Sequence, residues 1–189
     1  MRIEGENIVL RYLNESDSAE LLELELRNRD FFKHYLYTVD ESYYTIEHQR
    51  KIIVDAQQQS EQDQKYIFGV FLKETEQLIG KVILAGVARG SLQSCSLGYY
   101  LDQAQNGKGY TTEAVRLAVK VAFEELQLHR IEARIMPKNI GSIRVIEKLG
   151  FQKEGHCRKD AYINGKWEDH LAFGLLAEDY VPANQKAPL

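Results

Sequence analysis

Midway along the chain, a glycine-rich stretch reads Asn106-Gly107-Lys108-Gly109-Tyr110-Thr111-Thr112-Glu113-Ala114. It joins a β-rich run that ends at Leu101 to an apolar pattern of helical spacing that opens at Ala114. A glycine-rich turn before a helix presents several unpaired backbone N–H groups at the positive end of the helix dipole. Because glycine has no Cβ, such a backbone can approach an anion closely. The stretch therefore predicts a phosphate or pyrophosphate site, with a simple strand-to-helix turn as the alternative.

The elements that follow this stretch alternate between helix and strand. A long helix is predicted by apolar residues at helical spacing, namely Ala114, Val115, Ala118, Val121, Ala122 and Leu126. A strand over residues 130–136 and a helix over residues 140–149 come next. Two final strands are predicted over residues 157–163 and 167–176. Asn164-Gly165 joins them and is a strong hairpin signal.

The elements that precede the stretch begin with a β-rich run over residues 8–13. Asp17 is a helix-start signal, and Thr45 is a second one, placed before a helical pattern over residues 47–64. Three strand-like runs follow, over residues 66–72, 78–85 and 94–101. The whole order is an antiparallel meander followed by a β-α-β-α unit. It predicts a mixed α/β protein and does not fit a fully parallel, doubly wound sheet.

The composition indicates one ordinary globular domain. The chain has 189 residues, of which 44% are hydrophobic, and a formal net charge of −4. We predict a single domain over residues 1–181 and a flexible tail over residues 182–189. The acidic balance argues against a nucleic-acid-binding protein. No run approaches the roughly 18 apolar residues of a membrane helix, and no apolar block near the start suggests a signal peptide.

The cysteines and histidines give no metal or redox signal. Cys95 and Cys157 lie far apart without CxxC spacing, which predicts reduced thiols of a cytoplasmic protein. The five histidines form no HxxxH or similar ligand pattern. We therefore expect neither a metal site nor metal-dependent chemistry.

Five segments between residues 97 and 176 occur in an order that is found in a known family. They are Leu97-Gly98-Tyr99-Tyr100-Leu101, the stretch 107–114, Leu128-His129-Arg130-Ile131-Glu132-Ala133-Arg134, Asn139-Ile140-Gly141-Ser142 with Glu147-Lys148-Leu149-Gly150-Phe151, and residues 162–170 ending in Trp167-Glu168-Asp169-His170. With them the chain resembles the GNAT superfamily of acetyltransferases, and within it the branch that acetylates N-terminal amines of ribosomal proteins. The resemblance implies the GNAT acyl-CoA N-acyltransferase fold, a central mixed, mostly antiparallel sheet flanked by helices. It also implies direct transfer of an acetyl group from acetyl-CoA to a primary amine.

The resemblance assigns the coenzyme A contacts to two parts of the chain. Backbone amides of the glycine-rich stretch would hold the pyrophosphate, through Asn106, Gly107, Lys108, Gly109, Tyr110, Thr111 and Thr112. Asn106 and Thr111 depart from the family pattern, which usually has Gln or Arg and a second small residue there. The strand ending at Leu101 would part from the strand starting at Arg130. The pantetheine arm would then bond to the free edge, with the Leu101 backbone as a contact and its side chain in the core.

The resemblance also places the last helix near the thioester. Asn139, which is a natural helix N-cap, and Ser142 would contact the coenzyme from the first turn. Many family members carry a tyrosine on this helix as the general acid, but Ile146 stands at that position. Ser142 lies one turn earlier on the same face and is the predicted catalytic residue. Its alternative is an ordinary first-turn helix residue.

The general base is the least defined part of the predicted site. Ser96 stands where the family often has a glutamate, and Glu132 on the adjacent strand is the nearest remaining acid. Glu132 is therefore the second predicted catalytic residue, with a solvated or ion-paired strand residue as the alternative. Cys95 has no histidine near it in the sequence, which argues against a covalent intermediate.

Aromatic residues are the one sequence feature that suggests where the acceptor amine binds. Tyr35, Tyr37, Tyr43 and Tyr44 crowd the join between the two early helices together with Phe31 and Phe32. They are either packing residues or a wall of an acceptor groove. The predicted partners are coenzyme A and a protein N-terminus or small amine, with a homodimer possible. The alternatives are an acetyltransferase of a polyamine or drug, and a catalytically silent acyl-CoA sensor.

Overall fold

An eight-stranded sheet forms the centre of the protein in a computed structural model that describes residues 1–181. Its strands are β1 (Arg2–Glu4), β2 (Ile8–Tyr12), β3 (Lys65–Leu72), β4 (Leu78–Ala88), β5 (Ser94–Leu101), β6 (Arg130–Ile135), β7 (Gln152–Ile163) and β8 (Lys166–Leu176). The spatial order is β1-β2-β3-β4-β5-β6-β8-β7. Every neighbouring pair is antiparallel except β5 and β6. The predicted mixed, mostly antiparallel sheet is confirmed; the predicted tail over residues 182–189 lies outside the described residues.

Helices cover both faces of the sheet. They are α1 (Ser18–Arg27), α2 (Arg29–Phe32), α3 (Ile46–Glu61), α4 (Tyr110–Lys120, continued by one π turn over Val121–Glu125) and α5 (Ile140–Lys148). The α4 face is the one on which α4 and α5 pack, against core residues such as Leu97 and Phe173. The α1 face is the one on which α1 and α3 pack, against residues such as Ile67 and Phe71. None of these helices is long and apolar enough to cross a bilayer.

Local sequence signals account for most of the helix starts and the last turn. The Thr45 side chain accepts a hydrogen bond from the backbone N–H of His48 and caps α3. Asn14 and Asp17 form a capping box immediately before α1. The predicted hairpin at Asn164-Gly165 is present, with φ of 49° and 82°. Two consecutive positive φ values are what a two-residue hairpin turn requires.

The predicted bounds differ from the structure mainly at the edges of the sheet. β7 begins at Gln152 and not at residue 157, and β1 was not predicted. Both are outer strands with largely exposed side chains, so they lack the polar–apolar alternation by which a half-buried strand is recognised. They are strands because their backbones pair with β8 and β2, respectively.

A buried ion pair ties α1 to the middle of the sheet. Lys81 Nζ on β4 lies 3.1 Å from Glu25 Oε1 on α1, and each side chain is only 4% exposed. The Tyr100 hydroxyl on β5 donates a hydrogen bond to the same carboxylate oxygen. Burial lowers the pKa of Lys81, and Glu25 offsets this only in part. Removing one partner of such a pair leaves an uncompensated charge in the interior.

We expect Glu25→Leu to destabilise the protein by about 3–5 kcal/mol, because Lys81 loses its counter-charge. Urea unfolding followed by circular dichroism measures the loss. The double variant Glu25→Leu/Lys81→Met should regain much of it, since both charges are then absent. Asp30→Asn is the control, because its bond to Lys33 is exposed and should matter little. A Glu25→Leu midpoint equal to that of the control would contradict the ion pair's role.

Candidate active site

β5 and β6 separate soon after they begin, which opens a cleft inside the sheet. Their parallel pairing covers only Ser94↔Arg130, Cys95↔Ile131 and Ser96↔Glu132. β5 continues to Leu101 with its other edge fully paired to β4. The backbone groups of β5 beyond Ser96 that face β6 therefore have no strand partner among residues 1–181. The parting expected from the sequence is present, and it leaves an internal strand edge available for a ligand.

The glycine-rich loop lies at the end of this edge. Gly107 and Gly109 have φ of 80° and 86°, and a Cβ built at either position would meet no atom within 4 Å. Gly109 is the N-cap of the 11-residue helix α4, and no side chain among the described residues caps it. The N–H groups of the first turn are thus left for another acceptor. The open space and the helix N-terminus together suit an oxyanion.

The predicted loop residues are brought together around that space. Asn106, Gly107, Lys108 and Gly109 are exposed, whereas Tyr110, Thr111 and Thr112 are half-buried in the first turn of α4. Lys108 Nζ bonds to Gln105 Oε1 at 2.8 Å. Glu113, which follows them, accepts bonds from the backbone and side chain of Asn7 at 2.9 and 3.1 Å. Glu113 therefore anchors the β1–β2 turn to α4.

Ser142 and Asn139 lie at the α4 face of the cleft. Asn139 Oδ1 accepts a bond from the Ser142 backbone N–H at 3.2 Å, so Asn139 is the N-cap of α5 as expected. The Leu101 side chain is 5% exposed and belongs to the core on this face, as expected. Ile146 is fully buried in the same core. The position of the usual tyrosine is thus filled by a packing residue.

Tyr99 is the residue of this face that the sequence did not reveal. Its hydroxyl lies 2.6 Å from Ser142 Oγ and 3.1 Å from the Ser142 carbonyl oxygen. Burial raises the pKa of Tyr99 to about 12, although the bond to Ser142 counteracts this. The phenol therefore stays protonated near neutral pH and can donate to Ser142. Strand alternation places Tyr99 on the α4 face with Leu97, but its pairing with a helix 43 residues later is a tertiary feature.

On the α1 face, the cleft is open beside β5 and lined by charged side chains beside β6. Ser96, Gly98 and Tyr100 point to this face from β5, and a Cβ built at Gly98 would meet nothing within 4 Å. Glu132 lies on the opposite strand in the last pair before the parting. Its Oε1 accepts a bond from Arg130 Nε at 2.9 Å. This geometry matches the ion-paired alternative for Glu132 more closely than a free base.

Aromatic side chains and the β7–β8 hairpin enclose the α1 face of the cleft. The Phe32 ring packs on Tyr100 with centroids 4.6 Å apart, and Tyr35 packs against Met136. The Thr38 hydroxyl accepts a bond from the Asn164 backbone N–H at 3.1 Å, which joins the loop after α2 to the hairpin turn. Some of the predicted aromatic wall is therefore packing, whereas Tyr37 is 74% exposed.

Within residues 1–181, no three or more His, Cys, Asp or Glu side chains are grouped so that they could hold a metal ion. Both cysteines are free thiols. Burial raises the pKa of Cys95 to about 12, so its thiolate form is scarce near neutral pH. The site therefore consists of an open strand edge, a glycine-rich helix start and a hydroxyl pair.

Comparison with known proteins agrees with this architecture. Residues 7–152 match the family described as acetyltransferase (GNAT) domain. The chain belongs to the GNAT family and is an acyltransferase. The silent-sensor alternative is therefore set aside.

Relatives with this fold include ribosomal acetyltransferases. The chain is 50% identical to a probable N-acetyltransferase, YjcK, of Bacillus subtilis (strain 168), over 94% of this chain and 98% of that protein. It is 30% identical to the [ribosomal protein uS5]-alanine N-acetyltransferase of Escherichia coli (strain K12), over 96% and 94%. A structure of Mycobacterium smegmatis RimJ in complex with CoA-disulfide superposes with a TM-score of 0.87 at 25% identity, covering 90% and 82%.

Proposed function

We propose that the protein transfers the acetyl group of acetyl-CoA directly to the N-terminal α-amine of a protein, such as a ribosomal protein, in the cytoplasm. The observation that carries this proposal is the early parting of β5 and β6 beside the loop at Gly107 and Gly109. The free edge suits an amide-bearing arm, and the helix start suits a pyrophosphate. The RimJ structure with a coenzyme disulfide supports the same ligand class.

Different parts of the cleft bind different parts of acetyl-CoA. Backbone N–H groups from Asn106 to Thr112 hold the pyrophosphate, and the edge that ends at Leu101 aligns the arm. Acetyl-CoA supplies an activated thioester, and direct attack by the amine needs no enzyme nucleophile. The raised pKa of Cys95 is consistent with the absence of a covalent step.

Ser142 provides the proton for the departing thiolate in this proposal. Tyr99 can hydrogen-bond to Ser142 Oγ, which leaves the serine proton free for the sulfur. If Ser142 gives its proton away, the Tyr99 hydroxyl is positioned to stabilise the oxygen that remains.

The acceptor assignment rests on the cost of deprotonation. An α-amine has a pKa near 7.7–8.0, whereas a lysine amine lies near 10.4. At about pH 7.5, the neutral form costs under about 1 kcal/mol for the α-amine and roughly 4 kcal/mol for lysine. The Glu132 carboxylate is held by Arg130 and is not free to act as the base. An α-amine, which needs little free energy for deprotonation, suits this site better than a polyamine.

We expect Gly109→Val to weaken coenzyme A binding by at least about tenfold, the value of about one hydrogen bond to a charged group. The added side chain would occupy the space that the anion needs. Calorimetry with coenzyme A measures the affinity. Gly90→Val is the matched control, because Gly90 has φ of 66° and equally open surroundings in another turn. Equal affinities for the two variants would remove the phosphate site from the proposal.

We expect Ser142→Ala to lower kcat about a hundredfold, the low end for loss of a proton donor. Tyr99→Phe should lower kcat about tenfold, and coenzyme A affinity should stay close to wild type in both variants. Steady-state kinetics at saturating acetyl-CoA measures kcat. Tyr180→Phe is the control, since Tyr180 bonds to Glu124 at 2.9 Å outside the cleft. Wild-type turnover of Ser142→Ala would make Ser142 an ordinary helix residue.

We expect a peptide with a free N-terminal Ser or Ala and an internal lysine to be acetylated at the α-amine. Tandem mass spectrometry of the reacted peptide locates the acetyl group, and spermidine in a parallel reaction tests the small-amine alternative. Acetylation mainly at lysine, or efficient use of spermidine, would contradict the acceptor assignment.

A further inference from the structure

A buried histidine of β8 has an unsatisfied ring nitrogen. His170 is 7% exposed, and its Nδ1 is fully enclosed with no hydrogen-bond partner among residues 1–181. Asp160 Oδ2 on β7 lies 3.6 Å from this Nδ1. Burying an imidazole N–H without a partner costs free energy. The nearby carboxylate is the group that could receive that N–H after a small adjustment.

A second contact orients the Asp160 carboxylate. Arg134 Nη1 on β6 donates to Asp160 Oδ1 at 2.5 Å. This leaves Oδ2 as the oxygen directed to His170. The Asp160 side chain is 20% exposed, so the carboxylate reaches solvent and is not part of the core. The three groups form an Arg134–Asp160–His170 chain across three adjacent strands.

Strand register places this chain on the α1 face of the cleft. Arg134 is opposite Ala172 on β8, and His170 is two residues from Ala172, so both side chains share a face. Arg134 is two residues beyond the last β5–β6 pair, as Gly98 is on β5. Arg134 and Gly98 therefore lie on opposite sides of the cleft, on β6 and β5 respectively. Met136, the residue after β6, packs in the same cluster as Tyr35.

The other carboxylates near His170 on this face are paired with cations, whereas the one thiol is free. Glu168 on β8 accepts from Lys138 at 2.7 Å and lies 3.4 Å from Lys166. Cys157 on β7 is opposite His170 and is a free thiol. Glu132 is held by Arg130. His170 thus faces Asp160, Arg134, Glu168 and Cys157.

We propose that Asp160 and His170 are the proton-accepting pair for the acceptor amine, with Arg134 as a positioning residue. This inference rests on the proposed function. Asp160 Oδ2 accepts a hydrogen bond from His170 Nδ1–H, which keeps the proton on Nδ1 and leaves the lone pair on Nε2. The amine nitrogen forms a bond to the thioester carbonyl carbon as the carbon–sulfur bond breaks. The proton lost by nitrogen passes to His170 Nε2, directly or through one water, and the sulfur takes a proton from Ser142.

A second histidine–carboxylate pair in the same hairpin provides a matched control. His156 Nε2 lies 2.7 Å from Asp169 Oδ2, and both side chains are substantially exposed. His156 is opposite Leu171, so the pair belongs to the other face of the sheet. It has the same chemistry as the pair at His170 but does not line the α1 face of the cleft.

The test compares His170→Gln, Asp160→Asn and His156→Gln in the full chain. Rates are measured from pH 6 to 9 with saturating acetyl-CoA and the amine that the wild type acetylates. We expect kcat at about pH 7 to fall about a hundredfold in His170→Gln. The fall should be smaller in Asp160→Asn, and the pH dependence should become steeper in both variants. His156→Gln should match the wild type, and coenzyme A affinity should be unchanged in all three variants.

A kcat for His170→Gln within about threefold of wild type, with the same pH profile, would overturn the proposal. If that variant fails to fold, as shown by circular dichroism, Asp160→Asn decides by the same criteria because its side chain is partly exposed. A wild type that acetylates lysine or spermidine instead of an α-amine contradicts the proposed acceptor. The His170 comparison is then made with that amine, so the two failures are distinguishable.

Discussion

The short parallel pairing between β5 and β6 is the constraint on which the rest of the site depends. Three residue pairs hold the two halves of the sheet together, and the strands then separate while each keeps its outer partner. A buried backbone N–H or C=O without a partner costs about 1–3 kcal/mol. The open edge of β5 offers unpaired backbone groups, and a ligand with amide groups that covers this edge can satisfy them.

Alternation along β5 gives the two sides of the cleft different chemistry. Tyr99 and Tyr100 are neighbours in sequence, but their side chains point to opposite faces of the sheet. Tyr99 bonds to Ser142 on α5, whereas Tyr100 bonds to Glu25 on α1. One strand thus positions the hydroxyl pair on the α4 face and holds the first helix on the α1 face.

Polar contacts fix α1 against the end of β5. Arg27 Nε bonds to Asp102 Oδ2 at 2.6 Å, and Asn28 Oδ1 accepts from the Gln103 backbone N–H at 2.9 Å. Together with the buried pair of Glu25 and Lys81, they join α1 to the segment that leads into the glycine-rich loop. The aromatic residues after α1 are therefore held at a set distance from the cleft. This rigidity suits a groove that must align an amine with a thioester.

Local chemistry let the sequence determine the loop, the caps and the last hairpin. Gly107, Gly109 and Gly165 adopt the positive φ values that glycine tolerates in turns. Thr45 and Asn139 cap the helices that they precede. These features depend on residues within a few positions of one another. Only the tertiary structure decided that Tyr99 meets Ser142, that Arg130 engages Glu154, and that Asp160 faces His170. Strand order and register set those contacts, and they arise from packing between segments that periodicity in a single sequence cannot align.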